Sequence, residues 1–191
     1  IVLIGGPDAN LITAVDTPTV VLSNSILEGG RTGVWTNGNA TSITITNTLI
    51  SGSGMAGVWT NGNATSLQDV TITDITGVPG IMGAVGGWGI NVKQGRLQIN
   101  GLVIDGARQL GLFSAATEMT ASNLTIRNID TDSTGALGRG AHISGTLHEA
   151  VSVTLSDITI KDVHDTALFI RNAANTSISN IVIDGVGPGR T

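Results

Sequence analysis

The nine residues Gly33-Val-Trp-Thr-Asn-Gly-Asn-Ala-Thr41 return unchanged as Gly57–Thr65, a shift of 24 residues. Around this duplication runs a looser pattern: an aliphatic residue, any residue, Asn, Asp or Gly, two more residues, then an aliphatic residue. It reads Leu22-Ser-Asn24-Ser-Ile-Leu27 and Ile45-Thr-Asn47-Thr-Leu-Ile50, and returns around Asp69, Gly101, Asn123, Asp157 and Asn180. The central residues are separated by 23, 22, 32, 22, 34 and 23 positions. Two steps are longer by about ten residues, which predicts two loop insertions, near 77–88 and 128–139. A period of 22 to 24 is too short for paired-helix repeats. The local alternation, as in Ile43-Thr-Ile45-Thr, has the period of a strand.

Each repeat divides into three short strands. In the first, Val34, Val58, Ile90, Leu112, Ala141 and Leu168 point inward, as do Thr36, Thr60, Val92, Ser114, Ile143 and Ile170 two residues on. The second contributes Val20 and Leu22, Ile43 and Ile45, Leu97 and Ile99, and Val153 and Leu155. A corner holding the Asn follows, and the third strand contributes Leu27, Ile50, Ile72, Ile104, Ile126, Ile160 and Ile183. Stacking like on like makes one aliphatic core, worth about 1.5–3 kcal/mol per buried Val, Leu or Ile. Asn tolerates the left-handed backbone that a tight corner needs, and Gly101 adopts it freely. Asn side chains stacked at such a corner satisfy one another. The fold class expected is all-β, a single-stranded right-handed parallel β-helix of about seven coils. Residues 1–191 form one domain, expected to be a piece of a longer chain.

Three strands per coil with an Asn ladder at the second corner resembles the right-handed parallel β-helix repeat proteins, the pectate and pectin lyase-like superfamily. The resemblance covers about residues 20–185. It implies a substrate groove along the first strand of each coil, walled by the flanking turns. The superfamily hosts lyases, hydrolases, phage tailspikes and non-catalytic surface proteins, so the fold alone does not choose a function.

On the implied groove, the outward column reads Trp35, Trp59, Asn91, Phe113, His142, Phe169. Beside it run Asn37, Asn61, Lys93, Ala115, Ser144 and Arg171. The chain has three Trp, two Phe and no Tyr, and four of these five aromatics fall in one column, Trp88 being the exception. Flat aromatic rows suit the apolar faces of sugar rings, with Asn, Lys and Arg nearby for hydroxyls and carboxylates. The other reading of the same rings is stacking between neighbouring coils that protects the sheet.

Hydrolysis of a glycosidic bond needs two opposed carboxyl groups. The polygalacturonases place Asp on the first strand, with a Gly-His-Gly turn and an Arg-Ile-Lys strand nearby. This first-strand column holds no carboxylate. GAHISG at 140–145 and LFIRN at 168–172 resemble those motifs only loosely. A lyase needs a basic residue and usually Ca²⁺ held by acidic side chains. Lys93 and Arg171 are the candidate bases. Asp130 and Asp132, in DTDSTG, are the candidate Ca²⁺ ligands, although the later Glu of a calcium loop is missing. His142, His148, Glu149, His164, Asp165 and Arg171 form the densest ionisable stretch, and His142, Asp165, Arg171 and Lys93 are the candidate catalytic residues.

Composition narrows the field. Charged residues make up 12% of the chain against 40% apolar, and 27 of the 191 residues are Gly, a balance that favours strands and tight turns over helices. With a net charge of −5 and no cationic stripe, no nucleic-acid partner is expected. No apolar run is long enough to span a membrane. Cys is absent, so no disulfide framework exists. The leading expectation is a secreted or surface-displayed domain that contacts polysaccharide through Trp35, Trp59, Asn91, Phe113 and Phe169, without catalysis and without a cofactor. The alternatives are a polysaccharide lyase or glycoside hydrolase, with Ca²⁺ as its conceivable cofactor, and a structural stalk or adhesin segment. Bare solenoid ends predict flanking domains or a homo-oligomer.

Overall fold

A computed structural model describes residues 1–38, 41–77, 86–131, 135, 137–145 and 149–187. Among them every regular element is a strand. Short and long strands alternate along most of the chain: β1 (Val2–Gly5), β2 (Asn10–Val15), β3 (Thr19–Gly29), β4 (Thr32–Asn37), β5 (Ser42–Ser51), β6 (Ala56–Asn61), β7 (Ala64–Ile75), β8 (Trp88–Val92), β9 (Arg96–Ala107), β10 (Leu110–Ser114), β11 (Glu118–Ile129), β12 (Arg139–Ser144), β13 (Val151–Val163), β14 (Leu168–Arg171) and β15 (Ala173–Val186).

The eight odd-numbered strands form one parallel sheet and the seven even-numbered strands another, each in chain order. The chain therefore passes from one sheet to the other at every connection, and each strand pairs with the element two places on. This is the connectivity of a parallel solenoid. The repeats stack in register: Val34 pairs with Val58 and Trp35 with Trp59, then Val58 with Ile90. One apolar core lies between the sheets and runs along the stack. Leu27, Ile50, Ile72, Ile104, Ile126 and Ile160 are fully buried within it, as are Val34, Val58, Ile90 and Leu112 from the opposite sheet.

The expected second and third strands of each repeat are one continuous strand. In β11 the ladder runs through Ser122, skips Asn123, and resumes at Leu124. The corner residue turns the chain with a left-handed backbone without ending the sheet. All seven expected corners have positive φ: Asn24, Asn47, Asp69, Gly101, Asn123, Asp157 and Asn180, between 44° and 75°. Asn47 Nδ2 donates to Asn24 Oδ1 at 2.7 Å, and Asn180 Nδ2 to Asp157 Oδ1 at 3.0 Å. Gly101 interrupts the column, and Asn123 donates instead to Asn100 Oδ1 at 3.0 Å.

A second left-handed column lies five residues further along each long strand, at Gly29, Gly52, Asp74, Gly106, Asn128, Asp162 and Gly185. It returns the chain toward the short strand. Both corners draw on Asn, Asp and Gly because these residues bear a left-handed conformation at low cost.

A third column is made of glycine for lack of space. Gly33, Gly57, Gly89, Gly111 and Gly140 each precede an inward residue of a short strand. A Cβ on Gly111 would lie 2.5 Å from Ile126 Cγ2 and 2.6 Å from the Gly140 carbonyl oxygen, and at the other four the matching isoleucine and carbonyl lie within 2.8 Å. Here the short strand closes onto the isoleucine row of the long strand.

Among the described residues the side chains of the last strand are exposed where those of its neighbour are covered. Ile178, Ile181, Ile183 and Val186 on β15 are exposed, whereas their partners Leu155, Ile158, Ile160 and Val163 are buried. Among the described residues no helix is long and apolar enough to cross a membrane.

Candidate functional site

The sheet of short strands carries the candidate face. Thr13, Trp35, Trp59, Asn91, Phe113, His142 and Phe169 occupy one register column across β2, β4, β6, β8, β10, β12 and β14. From Trp59 onward the rings touch in succession. The Trp59 and Trp88 centroids are 5.4 Å apart with planes 10° from parallel. Trp88 to Phe113 is 6.0 Å, Phe113 to His142 is 5.3 Å, and His142 to Phe169 is 4.7 Å. The last two pairs meet edge to face, an arrangement that favours aromatic rings through their quadrupoles.

Two sequence expectations are corrected here. Trp88 belongs to the row, although it starts the strand three residues before the column position. Its indole lies between Trp59 and Phe113, at the level where the column has Asn91. Asn91, expected to face outward with the rings, is fully buried. Its Nδ2 and Oδ1 have no partner among the described residues. The Trp88 indole N–H donates to Gln109 Oε1 at 2.8 Å.

Cations border the row. Lys93 Nζ is 4.8 Å from the Trp59 ring centroid, and the Arg139 guanidinium carbon is 5.3 Å from that of Phe169. Arg139 stands in register with Leu110, and Leu110 with Trp88, so both long side chains lean over the column from the same position on their strands. Arg139 Nε donates to Asp165 Oδ2 at 3.0 Å, and its Nη1 is 3.4 Å from His142 Nδ1. A guanidinium only donates, so His142 Nδ1 accepts and the neutral ring carries its proton on Nε2. Arg171 is exposed on β14, in register with Ser144. Beside the row Asn61 Nδ2 donates to Asn37 Oδ1 at 3.1 Å, a second amide ladder.

Of the candidate catalytic residues, His142 and Asp165 are brought together through Arg139, Arg171 lies one strand away, and Lys93 is separate, over Trp59. Asp130 Oδ1 accepts from the Thr131 N–H at 2.8 Å. Asp132 and His148 lie outside the described residues, as do most of the 77–88 insertion and parts of 128–139. Among the described residues no three His, Cys, Asp or Glu side chains are grouped to hold a metal ion. Sequence reasoning missed Trp88 and Arg139. Aligning the repeats on their glycine column would have found them, since they immediately precede Gly89 and Gly140.

Burial, and then the positive charges of Arg139 and Arg171, hold the His142 pKa below its ordinary 6.5. The fold therefore favours the neutral ring, and protonation favours the unfolded chain. His142's contribution to stability is complete above pH 6.5 and declines as pH falls below that value toward its lowered native pKa. Chemical denaturation from about pH 7.5 down to about pH 5 should show a smaller loss of stability in His142→Phe than in the parent. An equal loss in both would remove His142 as a source of acid sensitivity.

Comparison with protein-family models, curated proteins and solved structures gives no match to this chain.

Proposed function

We propose that this chain is a right-handed parallel β-helix of the pectin lyase-like kind, secreted or displayed at a cell surface, that binds polysaccharide along the row Trp59–Trp88–Phe113–His142–Phe169. One observation carries the reading: a chain with five Trp and Phe side chains in all has aligned every one of them on a single face, with Lys93 and Arg139 over the rings. Such a row offers ring edges and partly covered ring faces to the apolar C–H faces of sugar rings, while the hydroxyls and carboxylates take up the surrounding amides and cations. The net charge of the chain is −5, yet Lys93 and Arg171 stand at this row beside Arg139, whose charge Asp165 balances, and this local positive excess favours an anionic polymer.

The binding is read as non-catalytic. Glycoside hydrolysis needs two carboxyl groups about 5–9.5 Å apart across one bond. The carboxylate joined to this row, Asp165, is committed to Arg139. His142 is wedged between Phe113 and Phe169. The trio His142, Arg139 and Asp165 supports a second reading, acid–base work by a polysaccharide lyase or hydrolase. Unsaturated or reducing ends released from uronate polymers, and lost in His142→Gln, would establish it in place of the first. If neither binding nor product is seen with any glycan, the stalk or adhesin reading takes over.

Trp59→Ala tests the leading reading. Removal of a central ring should weaken binding of acidic oligosaccharides by about 10–30-fold, the scale of a truncated interface anchor. Calorimetric titration gives the constant. The exposed substitution Val21→Ala, on the opposite sheet, should leave it unchanged.

A further inference from the structure

We propose that Trp88 is a displaceable plug: it fills the slot between Trp59 and Phe113 that a uronate ring takes when it withdraws, with the Asn91 amide as the floor of that slot. The inference rests on the reading of the row as a sugar-binding face and adds how one position on it is opened.

Three observations point the same way. The first is Asn91 itself. Its column neighbours are Trp59 and Phe113, its side chain is fully buried, and both polar atoms of its amide lack partners among the described residues. A buried amide with two unmet hydrogen-bonding atoms is costly to keep, and an apolar residue would serve better if the position only had to be filled. The second is the spacing. β6 and β10 flank β8, so Trp59 and Phe113 stand two strand spacings apart, about 9–10 Å at the backbone. That gap holds one flat ring. The indole of Trp88 occupies it now, nearly parallel to Trp59. A pyranose ring in its place would present one apolar face to Trp59 and the other to Phe113.

The third is how Trp88 is held. Its backbone N–H is fixed to the Met55 carbonyl at 3.1 Å, so the strand need not move. The ring itself is retained by its stacking and by one side-chain hydrogen bond, to Gln109. Emptying the slot therefore calls for rotation about the side-chain torsions and no movement of the strand. The uncovered floor then offers an N–H₂ donor and a carbonyl acceptor to ring hydroxyls. Lys93, already over Trp59, supplies the charge for a carboxylate. That combination selects a hexuronate over a neutral hexose.

In this scheme the closed form competes with the ligand, so apparent affinity is reduced by the fraction of molecules that are open. Trp88→Ala should then bind a short oligogalacturonate or oligomannuronate about tenfold more tightly than the parent, the factor for a slot closed in about nine molecules of ten. Trp88→Phe keeps a ring in the row but loses the bond to Gln109, and should tighten binding by about threefold. The parent reports the motion directly. The parallel Trp59 and Trp88 indoles couple as an exciton pair in far-ultraviolet circular dichroism, and saturating uronate should abolish that couplet. A cello-oligosaccharide of equal length should bind more weakly and leave more of it.

Binding with the couplet intact, or binding weakened in both Trp88 variants, would overturn the plug while leaving the sugar-binding face in place, with Trp88 as part of the platform. No binding by the parent or any variant would overturn both. Should Trp88→Ala fail to fold, Trp88→Phe and the couplet of the parent decide the question.

Discussion

Gly111→Ala should destabilise the protein by about 3 kcal/mol, toward the top of the range for overpacking a close-fitted core. The added methyl meets Ile126 Cγ2 at 2.5 Å on one side and the Gly140 carbonyl oxygen at 2.6 Å on the other. The isoleucine sits in the fully buried row and has nowhere to retreat. The carbonyl belongs to the next strand of the sheet, so yielding there breaks the register of β10 on β12, which aligns Phe113 with His142. Gly6→Ala is the matched control, because nothing lies within 4 Å of a Cβ there, and it should change stability by no more than about 0.5 kcal/mol. Midpoints of chemical denaturation compare the two. A Gly111→Ala variant as stable as the parent would mean that the two sheets do not close onto each other at this column.

Asn91→Leu should have the opposite sign, raising stability by about 1–3 kcal/mol, the usual cost of a buried polar group without a partner. Leucine has the same branching and length as asparagine and removes both unmet atoms. The substitution should also weaken uronate binding by at least about tenfold, because the floor of the slot would lose its donor and its acceptor. Stability gained where binding is lost is the mark of a residue kept for function. Thermal or chemical denaturation with calorimetric titration of the same samples reads both effects. A variant less stable than the parent would show that the amide is satisfied in place. Unchanged binding would remove Asn91 from the site.

The core was legible in the sequence because stacking imposes one chemistry on each column. A residue 22 to 24 positions from another aliphatic, or 32 across the first insertion, lands beside it, and this repetition marked Val34, Val58, Ile90 and Leu112 as inward, all fully buried. The corner at Asn24, Asn47 and their successors was legible for the same reason. The second corner was harder to see because glycine is its commonest residue, at Gly29, Gly52, Gly106 and Gly185, and in a chain with 27 glycines a recurring Gly marks a position less sharply than a recurring Asn. The initial strands β1 and β2 were missed because the aliphatic–Asn–aliphatic signature begins only at Leu22.

The face was legible only in part. Alternation of period two says which side of a strand a side chain leaves from, and it placed Trp35, Trp59, Phe113, His142 and Phe169 in one column. It cannot say where a long side chain lies once it has left. Trp88 and Arg139 leave their strands three residues earlier and lie back over the row, and Asn91, at the level of the Trp88 ring, is fully buried. The join between Asp165 and His142 through Arg139 depends on the same reach of a side chain across strands. The left-handed corners carry no such ambiguity, since the backbone itself is specified there.

The claim on which the functional reading depends is that this aromatic row, bordered by cations, holds an acidic polysaccharide. Calorimetric titration of the intact protein with an oligouronate, at low and at raised ionic strength, tests it most directly. The account predicts saturable binding that weakens as salt screens Lys93 and Arg171, and that is stronger than binding of a neutral oligosaccharide of the same length. Absence of heat and of competition with every acidic and neutral glycan tried, by a protein whose circular dichroism shows it folded, would contradict it.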